Sequence, residues 1–404
     1  MSVQTLSRAL ALVFCLSLAG LSFAEAPVIH SGGTAEQGLV QADLTEQWRL
    51  GGEDDEVFFG TVGAVRTDAA GHLYLLDGQL SQIHVFAPDG EYLSTVGREG
   101  DGPGEVRRPN DLFITPDGTL NILQGFPGKI VKLTPDGLPA GEANYAASAG
   151  SAGQFGVLVA GRSGGDDIVL AGIQMTMAGA ISEQTYFLAR CNRDGQQQAA
   201  LLEKTHTINY ADFRLDEGEM DFVWGRLAVG SDGRVFAAPQ RDQYAIKVFG
   251  TDGTHQMTIS RDFTAPPRTE AQSKLARQVI EAVGANYPVP PVAITIEDTE
   301  PVVGNLHLTA DGRLWTQSSR SDMDLPDGTW VILDVFAPDG RFEKQVALRG
   351  DHDPARDAIN VLPDGRIIVT VGALDAFLNQ QGAGTDEDSG VEADPLSVIC
   401  YKLK

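Results

Sequence analysis

The sequence is short of positive charge. Its 404 residues carry 30 Lys and Arg against 55 Asp and Glu, a formal charge of −25. Such a chain repels phosphate backbones and anionic membrane surfaces, which excludes nucleic acid as a natural partner. It also lacks a transmembrane span: beyond the first two dozen residues no apolar run approaches the roughly 20 residues needed to cross a bilayer. Glycine is plentiful at 46 and proline reaches 20, yet neither recurs every third residue, so a collagen-like chain is excluded. There is no Gly-x-Ser-x-Gly elbow, phosphate loop, dinucleotide fingerprint or His-Glu-x-x-His. What remains is ordinary for a folded protein, with 42% hydrophobic and 21% charged residues and length enough for one large core.

Residues 1–24 read as a secretory signal peptide. Arg8 supplies the positive end, Ala9 to Leu18 the apolar stretch, and Ser22-Phe23-Ala24 the small-x-small cleavage pattern. Cys15 follows Phe14 within the apolar stretch, which does not suit a lipid anchor. An exported chain, periplasmic or extracellular, is expected. Cys191 and Cys400 are then the cysteines left in a compartment that permits disulfides.

A repeat organises the rest. One phrase, a short apolar strand followed by x-Asp-Gly and another strand, recurs in two alternating sets. The first includes Thr115-Pro116-Asp117-Gly118, Gly230-Ser231-Asp232-Gly233 and Leu362-Pro363-Asp364-Gly365. The second includes Phe86-Ala87-Pro88-Asp89-Gly90, Asn192-Arg193-Asp194-Gly195 and Phe336-Ala337-Pro338-Asp339-Gly340. Asp-Gly between apolar strands marks a hairpin, because glycine accepts positive φ. Two hairpins per repeat make four strands, here called a to d. Gly165 marks the weakest a–b turn. The last repeat stops at Lys404 after its c strand, and the missing d strand matches Leu44 to Leu50. The expected fold is therefore all-β: a six-bladed β-propeller of four-stranded antiparallel blades, closed by pairing of the N- and C-terminal strands. Strand periodicity assigns Phe86, Leu133, Cys191, Phe249 and Phe336 to the core between blades. It also assigns strand-a residues there, such as Val65 and Leu112 and, two positions on, Thr67, Ile114, Val229, Leu308 and Val361. Cys191 and Cys400 fall in blades on opposite sides of the ring, too far apart to bridge, and are expected as buried free thiols.

The domain plan is a signal peptide at 1–24, an N-terminal linker at 25–40 and the propeller at 41–404. A helical insertion is expected at 264–297, between the fourth and fifth blades. Thr269-Glu270-Ala271-Gln272 forms a capping box, Ala271, Leu275, Val279 and Val283 an apolar stripe, and Gly284 a stop. Residues 379–395 form an acidic flexible loop in the last blade. Its Asp386, Glu387, Asp388, Glu392 and Asp394 miss the spacing of a calcium-binding EF-hand.

Ile83 to Gly90, followed by Val96-Gly97-Arg98-Glu99-Gly100-Asp101-Gly102-Pro103-Gly104-Glu105-Val106 and Pro109, resembles the NHL-repeat pattern. The chain is similar to bacterial exported six-bladed propellers of the NHL/TolB-like class. That resemblance implies a fold more than an activity.

Alternation along strand a points Arg66, Asp111, Arg226, Asn305, His307 and Asn360 toward the central channel, a set suited to a polar ligand. Asp111, Asn305 and Asn360 are oxygen donors for Ca²⁺, with Glu300 and Asp357 on nearby loops. Ca²⁺ is thus the possible cofactor, although no cofactor is the simpler expectation. Related lactonase-like propellers hold a channel cation, and NHL-type lyases a zinc on a histidine cluster. Here His307 is the one channel histidine, and His72, His84 and His255 fall elsewhere. His352-Asp353 and Arg356-Asp357 are expected as exposed loop residues. The leading expectation is an exported, non-catalytic propeller that binds a ligand or protein partner through one face. The rival is a metal-assisted lactonase- or esterase-like hydrolase, or a lyase, at the channel mouth.

Overall fold

The computed structural model describes residues 26–52, 57–146, 155–382 and 395–404. The expected signal peptide lies outside them, as do the acidic residues Asp386, Glu387, Asp388, Glu392 and Asp394.

Six antiparallel sheets make the ring. Blade one runs Val62–Thr67, Leu73–Asp77, Gln82–Phe86 and Tyr92–Val96. Blade two runs Pro109–Ile114, Leu120–Gln124, Lys129–Leu133 and Pro139–Ala143. Blade three has much longer strands, Phe155–Gly164, Asp167–Ala178, Ile181–Cys191 and Gln197–Asn209. Blade four is built on Leu227–Val229, Val235–Ala237, Ala245–Phe249 and His255–Arg261. Blade five runs Val303–Leu308, Leu314–Ser318, Thr329–Phe336 and Phe342–Arg349. Blade six takes Ala358–Val361, Ile367–Val371 and Ser397–Leu403, and its outer strand is Leu44–Gly51.

The ring is closed as the repeat count requires: Val398 pairs with Leu50, Cys400 with Trp48 and Leu403 with Leu44. This pairing covers the last unpaired strand edge of the repeat array with chain from its other end. The N-terminal stretch does more than link. Val28–Ser31 adds in parallel to the outer strand of blade four, and Leu39–Ala42 adds in parallel to that of blade five. The chain thus crosses the rims of two blades before completing a third.

The inter-blade core follows strand periodicity. Phe86, Leu133, Cys191, Phe249 and Phe336 are all buried. The strand-a residues split. Val65 and Leu112 are buried, whereas Thr67, Ile114, Val229 and Leu308 are only half-buried and line the channel, with Val361 buried among them. Strand a is the innermost strand, so its far end borders the open channel, while Ile114, Val229 and Leu308 still pack against the core between blades. Cys191 and Cys400 are buried free thiols, pushed up to about 12 and about 11 respectively, chiefly by burial.

The insertion contains the helix Glu270–Gly284, started by the expected capping box in which Thr269 accepts from the Gln272 amide and the Gln272 side chain accepts from that of Thr269. Of the expected stripe, Leu275, Val279 and Val283 are half-buried. Ala271 is exposed, while Ile280 packs with Tyr287, Val289 and Ile294 around Phe213 and Leu215. The target surface lies beside the helix's second half, so the first turn projects into solvent. A strand at Ala293–Thr295 pairs in parallel with Arg214–Asp216 and fastens the insertion to the segment between blades three and four. A further helix, Ala373–Gln380, follows the second strand of blade six and takes in the start of the stretch expected as a loop. Among the described residues no helix is long and apolar enough to cross a membrane.

Candidate functional site

A cavity of about 500 Å³ occupies the centre of the ring. Arg66, Asp111, Asn305, His307 and Asn360 all line it, as strand-a alternation requires. Arg226 does not. Strand a of blade four begins only at Leu227, and Arg226 turns into the preceding loop, where its guanidinium reaches Asp221 at 2.6 Å and binds the Phe222 carbonyl. Trp224 and Gly225 take its place on the channel wall.

The polar centre of the channel is an ion triad. Asp111 accepts from Arg66 at 2.5 Å on Oδ1 and from Arg162 at 2.6 Å on Oδ2. The Leu112 and Gly161 amides complete the carboxylate, at 2.8 Å and 3.0 Å. Arg66 is further fixed by donating to the carbonyls of Leu112 and Val65. Its pKa is lowered to about 10, first by burial and then by the like charge of Arg162, with Asp111 opposing both. Arg162 uses Nη1 on Asp111 and on the Gly161 carbonyl, while its Nε and Nη2 meet no hydrogen-bond partner among the described residues.

His307 stands over this centre. Burial lowers its pKa to about 4, and the positive charges of Arg162 and Arg66 add to the effect. The imidazole is therefore neutral at neutral pH. Its Nε2 is buried and without a partner. Asn305 donates to Gln317 at 3.1 Å.

Arg162 was not among the residues expected in the channel, because blade three breaks the spacing rule. Five residues, Thr115 to Thr119, separate strands a and b in blade two, but only Gly165 and Asp166 do so in blade three. Counting back from the turn glycine therefore lands on the wrong residue. A usable signal was an arginine within a strand-a run, Val157 to Arg162, otherwise made of small and apolar residues. Gly161 is needed beside it: a Cβ there would lie 2.8 Å from the Phe113 ring.

The residues expected to hold Ca²⁺ do not suit a hard divalent cation. Both oxygens of Asp111 are saturated by guanidinium and amide donors, and the nearest charges are positive. Asn305 and Asn360 offer neutral amides alone, where such a cation needs several available oxygens and negative charge. No group of three or more His, Cys, Asp or Glu with metal-holding geometry occurs among the described residues. Glu300 lies 4.0 Å from Arg268 in a separate ionic network, where Glu217 binds Arg241 at 3.0 Å and Arg268 at 2.7 Å and so ties the helical insertion to the segment before blade four.

His352 and Asp357 are not exposed loop residues. Their side chains are only 7% and 6% accessible, and they approach each other to 3.4 Å. Folding of the crossover between blades five and six turns them inward, under Trp330 and Tyr401, whose rings both pack edge-on against the imidazole.

The profile of a family described as a 6-bladed β-propeller, DUF5128, matches residues 53–152. No curated protein sequence matches the chain. Among solved structures, a DUF4221-family protein from Bacteroides vulgatus aligns at 11% identity and a TM-score of 0.49, over 90% of this chain and 98% of its own. A protein from Bacteroides fragilis assigned as exported aligns at 10% identity and a TM-score of 0.47, over 91% of this chain and 99% of its own. A calcium-binding protein, regucalcin, from Agrobacterium tumefaciens aligns at 12% identity and 0.43, over 90% and 96%. At such distances chemistry does not transfer. The chain is a six-bladed β-propeller by its own sheet topology and by the family profile it matches.

Proposed function

We propose that the protein is exported and works as a binding ring, taking a small anionic polar ligand in the central channel without chemical change to it. The observation that carries this reading is the imbalance at the ion triad. One carboxylate, Asp111, stands between two guanidinium groups, Arg66 and Arg162, leaving one positive charge uncompensated. Arg162 keeps two nitrogens for a ligand, in a fork geometry suited to carboxylate or phosphate oxygens. The neutral His307 adds an uncharged imidazole beside the two guanidinium groups. In a chain of net charge −25 this is a local positive focus against a repulsive background, which favours specific contact over general anion adsorption. The expected signal peptide, residues 1–24, supports export.

The test is native mass spectrometry of freshly purified protein, followed by melting curves with acetate, phosphate, sulfate and citrate. A retained anionic mass, or a rise in Tm with one of these anions that vanishes in Arg162→Ala, supports the reading. Identical behaviour of the variant and the natural protein in every condition defeats it. Stoichiometric Ca²⁺ with a Tm that falls in chelator would instead favour the metal-assisted hydrolase.

A further inference from the structure

The inward turn of His352 and Asp357 builds a second site, whose lining shares no residue with the channel. A cleft of about 630 Å³ opens at the junction of blades five and six. At its floor Asp357 is fixed by the amides of Gly372 at 2.9 Å and Asp353 at 3.1 Å, and it faces His352 Nδ1. Burial disfavours its ionised form, but the bond from His352 and these amides outweigh burial and hold its pKa below the usual carboxylate range. An ionised Asp357 requires the proton on Nδ1. With that proton on Nδ1, Nε2 is free to accept from the Tyr401 hydroxyl, 3.0 Å away. This arrangement aims the Tyr401 proton at His352 and leaves the phenol oxygen's lone pairs for the cleft. Gly350 keeps the relay packed: a Cβ there would lie 3.1 Å from the Trp330 ring and 3.3 Å from the His352 ring.

The walls define the ligand. Leu44, Val371 and Ile399 form an apolar strip. Arg49 and Arg349 bring donors, and Asp351 and Asp353 bring acceptors. The arginines' partners, Glu46 and Asp43, are about half-exposed, so these pairs exchange readily for a ligand. Two cationic side chains face three acidic ones, Asp351, Asp353 and Asp357, so the cleft holds no positive excess for an anion. Nor does it offer a cation cage, because Asp357 is already occupied by His352 and amides. Separated donors and acceptors beside an apolar strip match a neutral ligand rich in hydroxyl groups. The geometry points to a saccharide-binding cleft in which Tyr401, oriented by His352 and Asp357, accepts a hydrogen bond from a hydroxyl group of a neutral sugar.

Glucose, N-acetylglucosamine and maltose are the probes, with glucuronate and glucosamine as charged counterparts, read by NMR on the His352 and Tyr401 ring signals. The expected result is a saturable shift with at least one neutral sugar, at least tenfold weaker with its charged counterparts. Affinity should fall at least fivefold in Tyr401→Phe and in Arg349→Ala and stay unchanged in Arg162→Ala. The last variant separates this cleft from the channel, so failure here and failure of the channel reading are distinct. Absence of a shift with every neutral probe up to about 50 mM overturns the assignment, since even weak sugar sites saturate there. So does preferred binding of a charged sugar, or wild-type affinity in Tyr401→Phe. Should Tyr401→Phe fail to fold, Arg349→Ala carries the same decision.

Discussion

Blades two and three meet at the ion triad that Arg66 of blade one completes, yet they differ in most other respects. Blade two has five- and six-residue strands and a Pro-Asp-Gly turn at its first and last hairpins. Blade three has strands of 10 to 13 residues and a two-residue first turn. Blade two supplies Asp111 and Phe113. Blade three supplies Gly161 and Arg162, without which Asp111 would neutralise Arg66 and the channel would carry no spare charge. Regularity of a repeat therefore reports how a blade is built. Departure from it reports where the ring has acquired something particular to this chain.

The sharpest way to break this pairing is Asp111→Ala. It leaves Arg66 and Arg162 facing each other with no counter-charge, and should cost about 3–5 kcal/mol in urea unfolding. A loss below about 1 kcal/mol would show that water screens the triad and that the two blades are not coupled there.

Next comes acidity. The folded pKa of His307 is lowered to about 4, below its unfolded value near 6.5. As pH falls through this interval the unfolded chain takes up a proton that the folded chain refuses. Stability is therefore full above about 6.5 and declines toward about 4, by about 2–3 kcal/mol for this group. In His307→Gln that part of the decline should vanish, leaving a flatter stability curve over the same window. Curves of equal slope would mean that burial and the two arginines do not keep the imidazole neutral in the folded chain.

Gly161→Ala should cost about 1–3 kcal/mol by driving a methyl group into the Phe113 ring, which is itself buried. The same variant should weaken any channel ligand, because Gly161 also donates to Asp111. The smallest effect compares the two turns. Gly118 and Gly165 have φ of +83° and +87° despite their unequal sequence signals. Alanine at either should cost about 1 kcal/mol. A larger cost at Gly118 would report the Pro135 ring, 3.2 Å from a Cβ there, since a Cβ at Gly165 meets nothing within 4 Å.

Much could be read before folding was considered. The alternation of Asp-Gly turns counted the blades, and the phrase at Leu44 to Gly51 located the closing strand, because local turn chemistry and strand periodicity do not depend on distant contacts. Five of the six channel residues followed from the same periodicity. Arg226 failed because the strand began one residue later, and Arg162 was missed because a shortened turn moved the count. His352 and Asp357 look like loop residues in one dimension, since nothing near them in sequence announces the Tyr401 hydroxyl that completes their arrangement.

Local sequence, then, established the strand, the hairpin, the number of repeats and the site of closure, all of which depend on near neighbours along the chain. Folding alone could bring Asp111 between Arg66 and Arg162, across separations of 45 and 51 residues, or His352 to Tyr401 across 49. Charge balance and proton direction at a site are sums over groups that meet only in three dimensions, so they are properties of the closed ring.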